Sequence, residues 1–287
     1  MRDYIIFTDS SADLSEEMSN ELGIRVIQLD VILEGEAAKP NNAVDICEFY
    51  NKLREKKGAT TAALGMDRFF AAFESAIQEG YDVLYLGFSS GLSSTYNAST
   101  IAARELCEKY RGKKVIAVDT LCASMGQGLL VYHACMMKKK GASIEEVRDF
   151  VEQNKLNLCH WFTVDDLFFL KRGGRVSAAT AVVGTVLNIK PVLHVDNDGK
   201  LVNVSKARGR KAAIDAMFEK AKASILPERN DVIFISHGDC EKDAQYLADR
   251  VKKELGIKQV VINFIGPVIG AHSGPGTLAI FFLGSVR

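Results

Sequence analysis

The chain is 287 residues long, room for two cores rather than one, and its 47% hydrophobic and 25% charged residues are those of an ordinary globular protein. Lysine plus arginine balances aspartate plus glutamate at 36 each, and zero net charge argues against a bulk binder of nucleic acid or of an anionic membrane surface. No window supplies the ~18 uninterrupted apolar residues of a membrane span, the N-terminus runs into a strand pattern without a signal sequence, and the six cysteines at 47, 107, 122, 135, 159 and 240 form no CxxC pair, so a cytoplasmic protein with free thiols and no metal site is expected.

Tyr4-Ile5-Ile6-Phe7 is a short apolar strand that ends in the polar Thr8-Asp9-Ser10-Ser11-Ala12-Asp13. Asp13 with Glu16 has the spacing of a helix start. Val26 to Leu33 alternates as a strand, and Asp45 is placed to cap a helix with the stripe Ile46, Phe49, Tyr50 and Leu53. Gly58 to Gly65 reads as a small-residue loop carrying Thr60 and Thr61. The helix after it shows Met66, Phe69, Phe70, Phe73 and Ile77 on one face, a core stripe whose aromatics could in part line a cavity.

Val83-Leu84-Tyr85-Leu86 is a buried strand, followed by Gly87-Phe88-Ser89-Ser90-Gly91-Leu92-Ser93-Ser94-Thr95-Tyr96-Asn97 and then a helix from Ala98 to Tyr110. Four serines, a threonine and an asparagine within nine residues of a strand-to-helix turn exceed what capping requires. Ligands of open α/β sheets sit beyond the carboxyl ends of strands, and a helix N-terminus favours an anionic group. Lys114 to Asp119 is the next strand, leading through Ser124 into a long helix, and Ser143-Ile144-Glu145-Glu146 is a capping box. The strand–helix alternation predicts a parallel sheet with helices on both faces over residues 1–157.

A second domain is expected over 158–287. Leu158 to Val164 is a strand, Lys171-Arg172-Gly173-Gly174-Arg175 a basic turn, and Ser177 to about Leu187 a small-residue helix. Val192–Asp196 and Leu201–Val204 form a hairpin around Asn197-Asp198-Gly199. Lys206, Arg208, Arg210 and Lys211 gather at a helix start, against the helix dipole. Val232–Ile235, Val260–Ile262 and Leu278–Leu283 complete a mixed sheet with helices on one face.

Gly87-Phe88-Ser89-Ser90-Gly91 matches the Gly-x-Ser-x-Gly elbow, and the order Ser89, Asp239, His272 suits a serine esterase or hydrolase. That alternative lacks the single large sheet its fold needs. No GxxxxGK[ST] loop, no Gly-x-Gly-x-x-Gly after the first strand and no metal-ligand spacing is present. His133, His160 and His194 read as structural. His237 and His272 end strands or lie in glycine loops, His272 among four nearby glycines.

Five segments in order resemble the DegV family of bacterial fatty-acid-binding proteins: Thr8 to Leu14, Ser89 to Tyr96, Arg172-Gly173-Gly174-Arg175-Val176-Ser177, Lys190-Pro191-Val192-Leu193, and Ile265 to Gly276. The resemblance runs from Tyr4 to Leu283. It implies two α/β domains enclosing a long-chain fatty acid, a lipid carrier of the FakB kind rather than an enzyme, with no cofactor. It also implies a partner fatty acid kinase that phosphorylates the presented carboxylate to acyl phosphate, with no nucleic acid partner and no stable membrane insertion. A monomer is expected.

Carried over, the carboxylate meets Thr61, Ser93 and the backbone around Ser94, with Arg172 and His272 completing the polar mouth. Phe69, Phe70, Phe73 and the helix Ala178–Val186 are the tunnel candidates, and Arg208, Arg210 and Lys211 the surface for the kinase. The chain departs from the family pattern twice. Thr61-Ala62-Ala63-Leu64 stands where Thr-Ser-Gln-Pro is common, removing one hydroxyl, and Ser94 stands where glycine is common.

Overall fold

A computed structural model describes residues 3–177 and 188–287. Four parallel strands form the first sheet in the order β2-β1-β6-β7: β1 (Tyr4–Asp9), β2 (Arg25–Ile27), β6 (Asp82–Gly87) and β7 (Val115–Asp119). Alternate residues of each strand face opposite layers. Ile5, Phe7, Val83, Tyr85 and Val115 join one core with α3 (Met66–Gln78) and α4 (Thr95–Lys109). Tyr4, Ile6, Leu84, Leu86 and Val118 join the other with α5 (Met125–Lys139) and α6 (Ile144–Asn154). The alternation of strand and helix in the sequence thus gives helices on both faces.

Two local expectations change. Val26 to Leu33 is not one strand: it breaks after Ile27 and resumes as β3 (Asp30–Leu33), because the Leu29 amide donates to Ser10 Oγ (2.9 Å) and its carbonyl accepts from Asn41 N (2.9 Å). The segment 58–65 contains a strand, β5 (Ala59–Ala62), paired antiparallel with β3, which also pairs with β4 (Lys39–Pro40). Thr61 is thereby fixed opposite Val31. The first helix, α1 (Glu16–Leu22), is capped by Ser15 and not Asp13; Asp13 lies in a left-handed turn (φ 52°) and points inward. The helix α2 (Ile46–Arg54) starts at Asp45 as its spacing predicts, burying Phe49, Tyr50 and Leu53.

The second sheet runs β10-β9-β8-β13-β11-β12, with only β11 and β12 parallel: β8 (Leu158–Thr163), β9 (Ile189–Val195), β10 (Leu201–Arg208), β11 (Val232–His237), β12 (Gln259–Phe264) and β13 (Leu278–Leu283). Its connections include α7 (Leu167–Arg172), α8 (Arg210–Ser224), α9 (Glu241–Arg250) and α10 (Pro267–Ser273). The expectation of helices on one face holds for α8 and α9 alone, since Leu167 and Leu170 of α7 join the core on the other face. Ile214, Met217, Phe218, Ala244 and Leu247 of α8 and α9 cover one face. The other face is covered by α5, whose Leu129, Leu130 and Val131 share a core with Phe162, Phe234 and Phe281. One apolar helix is buried between two sheets, which explains why nine of its fifteen residues are buried.

Candidate functional site

A cavity of about 320 Å³ opens where the first sheet's carboxyl edge meets β8, β13, α7 and α10. This is within the range of small-molecule sites, roughly 300–1,000 Å³. Most of its wall is apolar: Phe88 and Leu92 from the serine loop, Phe162 and Phe281 from the second sheet, Leu170 from α7, and Ile265, Val268 and Ile269 around α10. Its open end is polar, formed by Thr61, Ser93, Ser94, Arg175 and His272, with the exposed Ala62 and Ala63 at the rim.

Each mouth residue is held by a different element. Thr61 Oγ1 lies 2.7 Å from His272 Nε2, joining β5 to the last turn of α10. Ser93 Oγ lies 3.0 Å from Thr95 Oγ1 and accepts from the Thr95 amide (3.2 Å) at the start of α4, and Leu64 N donates to Thr95 Oγ1 (3.4 Å). Ser94 is the exposed residue preceding α4. The positive end of that fifteen-residue helix therefore faces the mouth. Arg175 Nε donates to Leu92 O (2.9 Å) and Nη1 to Gly173 O.

Burial and the neighbouring Arg175 and Arg172 cations push the His272 imidazole down to about 4, so it is neutral near pH 7. Burial likewise lowers the Arg175 guanidinium. A Cβ on Gly173 would collide with His272 Nδ1, so glycine there lets α7 close on the imidazole.

Of the sequence-predicted site residues, Thr61, Ser93, Ser94 and His272 line one cavity. Arg172 does not. Its guanidinium lies over Phe169 (5.0 Å) and donates to Ala271 O (3.3 Å), while Gly174, at φ 71°, turns the chain so that Arg175 reaches the cavity instead. The sequence signal was present, since the basic turn has an arginine on each side of its two glycines; helix periodicity alone does not say which one turns inward.

Phe69, Phe70 and Phe73 are also absent from the cavity wall. Phe69 and Phe73 are fully buried and pack edge-on or tilted against Tyr85 at 5.0 and 5.8 Å, and Phe70 packs against the same core. Their stripe faces the first sheet, as an amphipathic helix on a sheet should. The tunnel candidates Ala178–Val186 lie outside the described residues.

The esterase set is not assembled. Ser89 is fully buried, donates to Gly199 O (2.8 Å) and accepts from Gly91 N (3.2 Å). Asp239 pairs with Arg54 (2.5 Å), and His272 Nε2 with Thr61. Of the basic cluster, Arg210 is paired with Asp243 (2.7 Å) and Lys211 with Asp215 (2.9 Å), whereas Arg208 is exposed on the edge strand β10.

Besides Arg175, sequence reasoning gave no ligand role to the cavity residues His160, Ser11, Ser124, Ser273 and Thr277. His160, a strand residue, is neutral because burial holds it well below its usual value. No group of three or more histidine, cysteine or acidic side chains among the described residues is arranged to hold a metal, and no described helix is long and apolar enough to cross a membrane.

The sequence profile of the family described as "Uncharacterised protein, DegV family" matches residues 4–285. A DegV domain-containing protein of Clostridium perfringens is 45% identical over 289 residues, spanning 100% of this chain and 99% of that one. Among solved structures, a DegV family protein from Thermus thermophilus, described by its fatty acid binding, superposes with a TM-score of 0.88 at 32% identity, covering 99% of this chain and all of that one (100%). A Thermotoga maritima protein whose structure is described as revealing a fatty acid binding function superposes at 0.84 with 30% identity, covering 98% and 99%.

Proposed function

We propose that this chain, which belongs to the DegV family, is a carrier of a long-chain fatty acid, its carboxylate at the mouth and its alkyl chain in the apolar interior. The observation that carries this is the distribution of polarity in one cavity: hydroxyls, a neutral imidazole, a helix N-terminus and a guanidinium at the open end, and behind them a wall mostly of apolar side chains. A carboxylate leaving water needs several donors or a cation. In the tautomer with hydrogen on Nε2, His272 donates to Thr61 Oγ1, leaving the threonine O–H to point at the ligand. Arg175 keeps N–H groups beyond the two bonded to carbonyls, and supplies the charge. Each methylene buried behind the mouth contributes about 0.8 kcal/mol, so the chain dominates affinity and the mouth sets orientation.

The sheet systems of 1–157 and 158–287, which we take as the two domains, both wall the cavity. We further infer a monomeric cytoplasmic carrier that presents the carboxylate to a fatty acid kinase. The exposed rim at Ala62, Ala63 and Ser94 leaves the head group approachable, and Arg208, exposed on β10, is available for that contact.

Native mass spectrometry of protein purified without added lipid, followed by extraction, tests the carrier. One long-chain fatty acid per chain is expected, with occupancy reduced in Ser93→Ala. A chain that is empty and takes up no added acid overturns the proposal. The kinase step is tested by mixing the loaded protein with a bacterial fatty acid kinase and ATP and trapping acyl phosphate with hydroxylamine; no hydroxamate above the carrier-free control refutes it.

A further inference from the structure

The inner wall of the cavity carries hydroxyls as well as apolar groups, and they are not equivalent. Ser124 Oγ donates to Asp13 Oδ2 (2.5 Å) and lies 3.0 Å from Ser236 Oγ. Thr277 Oγ1 donates to the carbonyls of Ser273 and Gly274, both at 2.9 Å. His160 Nε2 accepts from Ala123 N (3.2 Å).

Ser273 differs. It is 6% exposed, it lines the cavity, and its Oγ has no hydrogen-bond partner among the described residues. It does not turn back onto a carbonyl of its own helix, the usual recourse of a helical serine. A buried hydroxyl left so is unfavourable unless something else meets it. An unsubstituted alkyl chain would press methylenes against it and leave it unpaired.

The position of Ser273 locates the missing partner. It directly follows His272, whose imidazole marks the carboxylate end. Adjacent Cα atoms are about 3.8 Å apart, and successive side chains of a helix diverge by roughly 100°. Both residues line the one cavity, so Ser273 stands next to the head group, at the level of the first few carbons of a bound acid.

Resting on the carrier reading above, we propose that Ser273 Oγ hydrogen-bonds a hydroxyl borne on the ligand close to its carboxylate, so that the cavity selects 2- or 3-hydroxy long-chain fatty acids over the unsubstituted acid. A serine hydroxyl both donates and accepts, so either sense of the bond to an alcohol is open to it.

Competition binding on the delipidated full chain tests this, using hexadecanoate and its 2-, 3- and 12-hydroxy derivatives. One net hydrogen bond of ordinary strength corresponds to about fivefold in affinity. We expect the 2- or the 3-hydroxy acid to bind about fivefold tighter than hexadecanoate and the 12-hydroxy acid to show no such gain. The preference should fall to about one in Ser273→Ala and persist in Ser273→Thr, which keeps the hydroxyl and covers the case of a poorly folded alanine variant. Hexadecanoate binding with no hydroxy preference, or a preference that survives Ser273→Ala, overturns the selectivity and leaves the carrier standing. Failure of all four acids overturns both.

Discussion

Asp13 and His272 are each a largely buried titratable group beside a hydroxyl, and the two behave oppositely. At the first, Asp13 Oδ2 accepts from Ser124 Oγ (2.5 Å), Oδ1 accepts from Gly266 N (2.9 Å), and the Asp13 carbonyl accepts from Asn263 Nδ2 (2.8 Å). These bonds tie the end of β1 to the start of α5, the end of β12 and the start of α10. They hold Ser124 at φ 53°, a conformation a non-glycine residue adopts only when its surroundings impose it. At the second, His272 meets Thr61 at the cavity mouth. Burial favours the neutral form of both groups, raising Asp13 to about 7 and lowering His272 to about 4. Both Asp13 oxygens are engaged by protein donors. Thr61 and His272 stay partly open to the cavity. A polar group completed within the protein holds the fold together; one left half-complete is available to a ligand.

Removing the first knot is the largest expected effect. Asp13→Ala deprives the Gly266 amide of its acceptor, leaves the Ser124 hydroxyl with Ser236 alone, and frees the strained turn. Loss of one partner of a buried polar pair costs about 1–3 kcal/mol, so the variant should lose roughly 3 kcal/mol or more in urea unfolding. A loss below about 1 kcal/mol would show that the knot is incidental to the fold.

Of comparable size is the dependence on pH, where the two groups carry opposite signs. Asp13 binds its proton more tightly folded than unfolded, with about 7 against 3.8. Its contribution to stability is complete below about pH 4 and is lost as the pH rises to 7. His272 binds its proton less tightly folded, with about 4 against 6.5. Its contribution is complete above 6.5 and is lost as the pH falls to 4. Each amounts to roughly 3 to 4 kcal/mol across its window. Buried His133, also pushed down to about 4, adds to the histidine side. The wild-type profile is therefore a sum, and differences isolate the terms. Wild type minus Asp13→Asn should fall between pH 4 and 7, and wild type minus His272→Gln should rise from pH 4 to 6.5. Parallel curves for the two variants would abolish the distinction drawn between the sites.

The same contrast governs what the sequence could disclose. The first sheet was legible because its strands are short apolar runs alternating with helices, a pattern that local periodicity carries. Ser93 and Ser94 stood out in the serine-rich strand-to-helix turn, whereas the grouping of Thr61 and His272 with them at one mouth rested on a family resemblance. The knot was not legible: Asp13 has the spacing of a cap with Glu16, and only the buried approach of Ser124 and Gly266, over a hundred residues away, removes it from that role. β5 was hidden because a four-residue strand of small side chains forms only when β3 is beside it. A helical stripe tells which residues share a face and not what that face meets, so Phe69 and Phe73 suit a tunnel as well as a core until Tyr85 is found beside them.

The smallest expected effect is the sharpest test of the second site. Thr61 lies in a strand, is partly exposed, and has one side-chain partner, His272. Thr61→Val keeps the shape and suits the strand, so unfolding should move by less than about 0.5 kcal/mol, as for a surface substitution. Binding should respond where folding does not. On the carrier proposal the variant removes the hydroxyl directed at the carboxylate, a contribution of about 1 kcal/mol, or about fivefold in affinity for hexadecanoate. The loss should be the same for acids of every chain length, since the methylenes bind elsewhere in the cavity. A loss that grows with chain length would place Thr61 against the alkyl chain and move the carboxylate to another part of the wall. Destabilisation as large as that of Asp13→Ala would mean that the Thr61–His272 pair, too, belongs to the fold.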